Sequence, residues 1–191
     1  RHIHNTLKRL TLLRLGTSGG LQPDLPIGTL VFSRTSIGLD GLLNFYEGSE
    51  AVCDREMERA FVEHTGWNSR LATPYFVRCS DYLAELFAPD TVEGMTASAP
   101  GFYAPQGRYL RLAPADRRLN EKIESFEYGG HRFTNFEMEG SALAGLSRLM
   151  GHDAVTICTV IAQRVALESD TDYRPFVDKM IATCLEKLAG I

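Results

Sequence analysis

The sequence predicts an α/β domain, in which buried strands alternate with helices along the chain. Residues 154–162 form a long β-branched apolar run, which is typical of a buried strand. Residues 141–150 and 175–188, before and after that run, carry apolar side chains at helical spacing. The 191 residues show no internal repeat and no linker-like Gly/Ser run, so we expect one domain spanning residues 1–191.

The remaining elements follow from the same periodicities. Taken in chain order, they are strands at residues 10–15, 29–35 and 75–79 and helices at residues 55–65 and 81–87. Ser80 or Asp81 is expected to cap the second of these helices. Residues 38–48 predict a loop whose inward-facing side chains are Leu42, Leu43, Phe45 and Tyr46. The final helix predicts a buried stripe of Phe176, Met180, Ile181, Cys184, Leu185 and Leu188.

Charge and composition exclude several classes of protein. The 20 basic and 24 acidic side chains give a formal charge of −4, with no block of like charges that would indicate a nucleic-acid or membrane-surface partner. The four cysteines are widely spaced without a C-x-x-C pair, which argues against a zinc site or a disulfide framework. No apolar run reaches the roughly 18 residues of a membrane span. We therefore expect a cytoplasmic protein without a metal, whose partner is a small molecule.

The first predicted strand ends in residues 16–20, Gly-Thr-Ser-Gly-Gly, which we interpret as a turn. Glycine lets the backbone approach a ligand closely, and the N–H groups and hydroxyls of such a turn can converge on an anion. The stretch lacks the Gly-Lys-Ser/Thr of a Walker loop and the G-x-G-x-x-G of a dinucleotide turn. Arg14 precedes it, and its guanidinium can fork onto two oxygens of a phosphate. An ordinary turn is the alternative interpretation.

Residues 93–109 predict a loop that carries aromatic side chains beside hydrogen-bonding groups. Gln106 both donates and accepts hydrogen bonds, and Arg108 donates to carbonyl oxygens. With aromatic rings next to them, these two side chains suit a planar heterocycle that has carbonyl groups and an imide N–H. The alternative is a solvated glutamine and arginine over ordinary loop aromatics.

Residues 135–142 join an extended segment to a helix and place two carboxylates around Met138. Residues two apart do not share a helix face, so Glu137 and Glu139 are expected to point differently unless both lie on extended backbone. The positive end of the helix dipole favours Glu139 as an acceptor for hydroxyl groups, and two vicinal ribose hydroxyls would fit it. Glutamates are also common at helix starts on protein surfaces, which is the competing interpretation.

Four stretches together resemble one known family. They are residues 14–20, 102–108, 136–139 and 160–164, and they occur in the order and approximate spacing of the nucleoside phosphorylase superfamily, with most similarity to its uridine phosphorylase branch. The resemblance covers nearly the whole chain. It implies a three-layer α/β/α sandwich around a mixed, partly barrel-like sheet, and a homo-oligomer that is a hexamer built as a trimer of dimers, or a dimer. The family's N-terminal strands, glycine-rich phosphate turn and second phosphate arginine are not identifiable before Leu10, so we expect an N-terminally incomplete domain.

The resemblance also implies a role for each matching residue. The phosphate ligands would be Arg14 and Thr17. The base would lie against Ser18, Gly19, Phe102, Gln106, Arg108, Ile161 and Ala162. The ribose would be bound by Thr17, Glu137, Met138 and Glu139, and a nearby loop would be ordered by Arg164. The catalytic residues among these would be Arg14, Gln106, Arg108 and Glu139.

The reaction that the resemblance implies is phosphorolysis of uridine, with inorganic phosphate as co-substrate, no cofactor, and uracil and ribose 1-phosphate as products. Purine-cleaving relatives carry an acidic residue in the region where this chain has Ala162 and Gln163, which favours a pyrimidine. Three alternatives stay open: a purine nucleoside phosphorylase or a nucleosidase that uses water, a non-catalytic nucleoside-binding homologue, and a purely structural domain. The convergence of polar groups in one site argues against the last.

Overall fold

The computed structural model describes residues 8–164, 168–169 and 172–190. The strands are β1 (Thr11–Gly20), β2 (Leu30–Gly38), β3 (Tyr75–Arg78), β4 (Val92–Ser98), β5 (Glu127–Tyr128), β6 (His131–Glu137), β7 (Asp153–Gln163) and β8 (Glu168–Ser169). The helices are α1 (Arg55–Thr65), α2 (Asp81–Phe87), α3 (Leu119–Glu124), α4 (Gly140–Leu149) and α5 (Arg174–Ala189). Strands and helices therefore alternate along the chain, as predicted.

A closed, barrel-like sheet is the centre of the fold. The strands β2, β4, β6, β1 and β7 are neighbours in that order, and antiparallel pairing of β2 with β7 closes the ring. The ring is mixed, because β1 is parallel to β7 but antiparallel to β6, while β4 is parallel to both of its neighbours. Outside the ring, β3 and β8 extend the sheet and β5 forms a hairpin with β6. Closure pairs strand edges that would otherwise stay open.

The helices pack on the sheet through three apolar clusters. One cluster, which contains the rings of Phe61, Phe76 and Phe133, lies under α1 and α3. A second lies between the sheet and the pair α2 and α5, and a third joins α4 to β3. Helices thus cover the sheet on more than one face, and the predicted three-layer arrangement around a partly barrel-like sheet is confirmed.

Local sequence explains where the first two helices begin and end. Asp54 caps α1 by accepting a hydrogen bond from the Met57 N–H at 3.0 Å, and Gly66 ends that helix at a positive φ of 57°. Ser80, one of the two predicted caps, accepts from the Leu83 N–H at 3.3 Å at the start of α2. These caps satisfy N–H groups that have no partner within the helix.

Two segments that we predicted as loops are strands, so those predictions are wrong. Residues 16–20 continue β1 and pair with β7, and residues 93–98 belong to β4. Glycine is depleted in strands, and glycine and serine are typical turn residues, which concealed both segments. In the folded chain, Gly16 and Gly19 leave room for the side chains of Arg14 and Arg164, which lie against β1.

Several apolar side chains that we predicted to be buried face solvent instead. The exposed ones are Phe45, Tyr46, Ile181 and Leu185, whereas their neighbours Leu43, Met180 and Cys184 are buried. The short 3-10 turn Leu42–Phe45 turns only part of its surface to the core, and α5 packs through a narrow stripe. Hydrophobic spacing alone therefore overstated the buried face of both elements.

All four cysteines lie in the described residues and are free thiols, as predicted. Three of them are buried and Cys53 is half-buried. Within the same part of the chain, none of the helices combines the length and the apolar character needed to cross a membrane.

We predict that Phe61→Ala lowers the free energy of unfolding by about 3–5 kcal/mol, because Phe61 is fully buried and its ring contacts those of Trp67, Phe76 and Phe133. Urea denaturation followed by circular dichroism measures the change. The control is Phe45→Ala: that side chain is 86% exposed, and its loss should change the free energy by less than about 0.5 kcal/mol. Equal losses in the two variants would contradict the described core.

Candidate active site

The ends of four strands meet at one rim of the closed sheet. Ser98 at the end of β4 pairs with Glu137 at the end of β6, and Gly19 near the end of β1 pairs with Phe136. The last residues of β7 run beside those of β1, with a register shift after Ser18. The predicted site residues lie on these strands and on the segments that follow them. The fold therefore brings four distant stretches of sequence together.

Arg14 joins three of these elements through its guanidinium. Its Nη1 atom lies 3.1 Å from the Glu137 carboxylate and 3.5 Å from the Cys158 sulfur, and its Nη2 atom donates to the Glu139 carboxylate. Gly16 leaves the space for this arrangement, because a Cβ there would lie 2.8 Å from Nη1. Burial alone would lower the pKa of Arg14, but the neighbouring carboxylates outweigh it and hold that pKa above its usual value. With 21% of its side chain exposed, Arg14 remains reachable from the rim.

Glu137 is buried, and both of its carboxylate oxygens accept hydrogen bonds. Oε1 accepts from the Ser98 hydroxyl, and Oε2 accepts from the N–H groups of Glu139 at 2.9 Å and Gly140 at 2.7 Å. A buried carboxylate needs charge and hydrogen bonds to replace its lost hydration, and Arg14 and the start of α4 supply them. Since its side chain is only 1% exposed, Glu137 faces the protein, and its contact with ribose stays a prediction.

Met138 and Glu139 face the rim. The Glu139 side chain is 63% exposed, and Met138 is 38% exposed. Glu139 occupies the position directly before α4, and its side chain makes no capping hydrogen bond to that helix. The two glutamates point differently, as predicted, one into the protein and the other outward, although both contact Arg14.

The turn Ala104–Gln106 positions the predicted base-binding groups. Gln106 is 4% exposed, and the Arg108 Nη1 atom donates to its Oε1 atom at 2.5 Å and to the Phe102 carbonyl at 3.1 Å. The Arg108 guanidinium also lies 3.9 Å from the centre of the Phe102 ring, which is a cation–π contact. Burial lowers the pKa of Arg108. Half of Phe102 is exposed, so part of its ring is open to a stacking partner.

A second arginine reaches the same glutamine from the end of β7. The Arg164 Nη1 atom lies 3.2 Å from the Gln106 Oε1 atom, and Nη2 donates to the Gln106 carbonyl. Gly19 makes room for it, since a Cβ there would lie 3.2 Å from the Arg164 Cδ atom. Burial, followed by the positive charge of Arg108, lowers the pKa of Arg164 to about 10. The loop-ordering role predicted for Arg164 stays a prediction, because residues 165–167 and 170–171, which follow Arg164, lie outside the described residues.

Strands β1 and β7 supply the remaining predicted residues, between the groups around Arg14 and the turn around Gln106. They are Thr17, Ile161 and Ala162, which are half-buried, and Ser18, which is buried. Arg14 lies against Gly16 and Arg164 lies against Gly19, so both arginines contact β1. The chemistry of the two groups suits a ligand with an anionic or hydroxyl-rich end and a planar, carbonyl-bearing end.

An apolar cavity of about 200 Å³ lies beside the turn Ala104–Gln106 and contains none of the predicted site residues. Its lining includes Leu39, Trp67, Pro100, Pro105 and Leu119. The rim is the better candidate, because charged and hydrogen-bonding groups from several strands converge there.

Two residues that the sequence motifs did not reveal support the site. Ser98 links Glu137 to α4, and the Asn120 Nδ2 atom donates to the Gln106 carbonyl at 2.9 Å. The alternation of Thr96, Ala97 and Ser98 was a signal for a strand with both hydroxyls on one face. No local pattern around Asn120 indicates its contact.

Comparison with known proteins gives a consistent result. The profile of the Phosphorylase superfamily matches residues 2–191. The chain is 31% identical over 166 residues to the uridine phosphorylase of Thermococcus kodakarensis, a match that covers 83% of this chain and 50% of that protein. It is 29% identical over 161 residues to the uridine phosphorylase of Escherichia coli, covering 83% and 55%. The chain thus spans about half the length of the curated relatives it matches.

Solved structures show the same likeness. A nucleoside phosphorylase of Trypanosoma brucei, whose crystal structure is described as showing uridine phosphorylase activity, superposes with a TM-score of 0.80 at 25% identity, over 95% of this chain and 64% of that one. Isoform 2 of uridine phosphorylase from Schistosoma mansoni superposes with a TM-score of 0.62 at 20% identity, over 96% and 63%, which shows the shared fold. These matches confirm the family resemblance that the four sequence stretches indicated.

We predict that Cys158, which contacts Arg14, does not react with iodoacetamide in the native protein near neutral pH. Burial raises the pKa of its thiol to about 12, so the reactive thiolate is scarce, and the residue has no exposed surface. Mass spectrometry of labelled peptides measures the reaction, and unfolding in guanidinium chloride should restore it. Native labelling at the rate of an unfolded chain would contradict the closed packing around Arg14.

Proposed function

The chain belongs to the phosphorylase superfamily, and on this premise we propose that it cleaves uridine by phosphorolysis, releasing uracil and ribose 1-phosphate. One observation carries the proposal. The pair of Arg14 and Glu139 and the turn around Gln106 lie on the same rim, and both contact β1, where Arg14 lies against Gly16 and Arg164, which holds Gln106, lies against Gly19. This arrangement suits a phosphate and a sugar beside Arg14 and Glu139 and a base beside Gln106.

The base-binding half of the site, which consists of Phe102, Gln106 and Arg108, would recognise uracil through the hydrogen-bonding edge of the uracil ring. The Gln106 amide offers an acceptor to the imide N–H and a donor to an adjacent carbonyl. Its Oε1 atom accepts from Arg108 and Arg164 in the structure, so binding of the imide N–H would require one of these arginines to turn to a carbonyl oxygen of the base. The exposed part of the Phe102 ring would lie against the base.

The other half of the site, which consists of Arg14, Thr17, Met138 and Glu139, would bind the sugar and the phosphate. Glu139 would accept hydrogen bonds from the ribose hydroxyls, with Met138 against the sugar. Glu139 pairs with Arg14, and 63% of the Glu139 side chain is exposed, against 21% of the Arg14 side chain. A phosphate that approaches Arg14 together with Thr17 would compete with Glu139 for the guanidinium and free the carboxylate for the ribose.

In the proposed reaction, a phosphate oxygen attacks C1′ while the bond between C1′ and N1 of uracil breaks and its electron pair leaves with the base. The sugar passes through an oxocarbenium-like transition state. Arg108 and Gln106 would stabilise the negative charge that gathers on uracil, and Arg14 would hold the nucleophile in line. Inorganic phosphate is the co-substrate, and the proposal involves neither a metal nor a redox cofactor.

Gln163 supports a pyrimidine over a purine as the base. It stands in the region where purine-cleaving relatives carry an acidic residue, and its Nε2 atom donates to the carbonyls of Gln22 at 2.7 Å and Leu25 at 2.9 Å. A neutral amide bound to the backbone in this way has no acidic proton to give to a purine ring. The family premise also leads us to propose a homo-oligomer in the cytoplasm, either a hexamer built as a trimer of dimers or a dimer.

A cleavage screen over uridine, thymidine, inosine and adenosine, each with and without phosphate, tests the proposal. We expect uracil release only when phosphate is present, with ribose 1-phosphate identified by phosphorus NMR. Base release without phosphate would indicate a nucleosidase, and preferential release of hypoxanthine or adenine would indicate a purine enzyme. Uridine binding in calorimetry without any base release would indicate a non-catalytic homologue.

We predict that Arg108→Ala lowers phosphate-dependent uracil release by on the order of 100- to 1,000-fold, because the departing base loses a charge-stabilising donor. Arg118→Ala is the control, since Arg118 is 76% exposed, pairs with Glu121 and lies outside the site. That variant should keep wild-type turnover. If Arg108→Ala also turned over at the wild-type rate, the assignment of the base-binding half would be wrong.

A further inference from the structure

We propose that Ser98 is a positioning residue, which aligns Arg14 and the start of α4 for the reaction through the Glu137 carboxylate. The kinetic consequence rests on the proposed function, whereas the structural part can be tested without turnover. Ser98 lies outside the four stretches that carry the family resemblance. The inference therefore depends on its contacts alone.

Ser98 makes two hydrogen bonds with one buried hydroxyl. Its Oγ atom donates to Glu137 Oε1 and accepts from the Ser141 N–H at 2.8 Å. The residue is 1% exposed and sits at the end of β4, directly beside Glu137 in the sheet. One hydroxyl thus connects a strand end, a buried carboxylate and the first turn of α4.

Glu137 transmits this alignment to the groups that would bind the ligand. Its Oε2 atom lies 3.1 Å from the Arg14 guanidinium and accepts from the N–H groups of Glu139 and Gly140. The plane of the carboxylate is therefore set on one side by Ser98 and on the other by Arg14 and the backbone of α4. A rotation of that plane would move the guanidinium and the point from which the Glu139 side chain extends.

Tyr75 holds the same helix from a second strand. Its hydroxyl donates to the Ser141 Oγ atom at 3.0 Å, and its ring is fully buried against Gly38, where a Cβ would lie 2.1 Å from the ring. Burial raises the pKa of Tyr75 far above its usual range, so the hydroxyl stays neutral and keeps its proton to donate. The start of α4 is thus anchored from β3 and β4 together, which leaves Ser98 little freedom to move.

Loss of the Ser98 hydroxyl would leave two buried groups without a partner. Glu137 Oε1 would lose a donor, and the Ser141 N–H would lose its acceptor. An unpaired buried group costs more than the hydrogen bond itself contributes, so the surroundings rearrange. We expect the carboxylate to turn towards its remaining donors and Arg14 to move with it.

Steady-state kinetics of Ser98→Ala and Ser33→Ala test the inference. Ser33 is a matched control, because both serines are 1% exposed and each donates one buried hydrogen bond, that of Ser33 going to Thr96 at 2.7 Å. We expect Ser98→Ala to lower kcat/KM for phosphate about tenfold, mainly through a higher KM, while Ser33→Ala leaves it unchanged. Equal effects of the two substitutions would make Ser98 a merely structural residue and overturn the proposal.

Nitrogen NMR of arginine side chains separates this inference from the proposed function. The Arg14 signals, identified with Arg14→Lys, should show a guanidinium held in one orientation in the wild type and in Ser33→Ala, and one that rotates faster in Ser98→Ala. Such a change in a protein that releases no base would support the positioning role while contradicting phosphorolysis. Unchanged Arg14 signals in Ser98→Ala would overturn the positioning role. If Ser98→Ala does not fold, Ser98→Cys keeps the side-chain size with a weaker donor and serves for both measurements.

Discussion

The pairing of the buried Glu137 carboxylate with Arg14 is the interaction on which the rest of the site depends. A carboxylate that is 1% exposed must be compensated, and it receives a guanidinium from β1, a hydroxyl from β4 and two N–H groups at the start of α4. These groups come from distant parts of the sequence, so the pairing ties the closed sheet to the helix that follows β6. It also determines where Glu139 leaves the backbone, and hence where a sugar would be held.

The half of the site around Gln106, which would bind the base, differs in its electrostatics from the half around Arg14. Arg108 and Arg164 both reach Gln106, and their proximity contributes, after burial, to the lowered pKa of Arg164. A ligand that gathers negative charge would relieve the repulsion between the two guanidinium groups. In the other half, Arg14 is already paired with carboxylates. The positive charge that would favour the transition state therefore lies where the departing base would become negative.

Local sequence patterns were sufficient for β7, α1 and the start of α2, because the β-branched run, the helical periodicity and the Ser80 cap follow from neighbouring residues, but they did not predict β4 or α3. They failed at the end of β1, where glycines that are typical of a turn make room for the side chains of Arg14 and Arg164. They also failed for Phe45, since apolar residues are common on protein surfaces. Ser98 and Asn120 act through partners 39 and 14 positions away, so only the folded chain reveals them.

A crystal structure with uracil and ribose 1-phosphate bound tests the central claim most directly. The account predicts that the phosphate lies on Arg14 and that the ribose hydroxyls lie on Glu139, which will have given up its contact with Arg14. It also predicts that uracil lies against Gln106 and that Glu137 stays buried. A ligand in the apolar cavity beside the turn Ala104–Gln106, or a Glu137 carboxylate turned out to the ribose, would contradict the account.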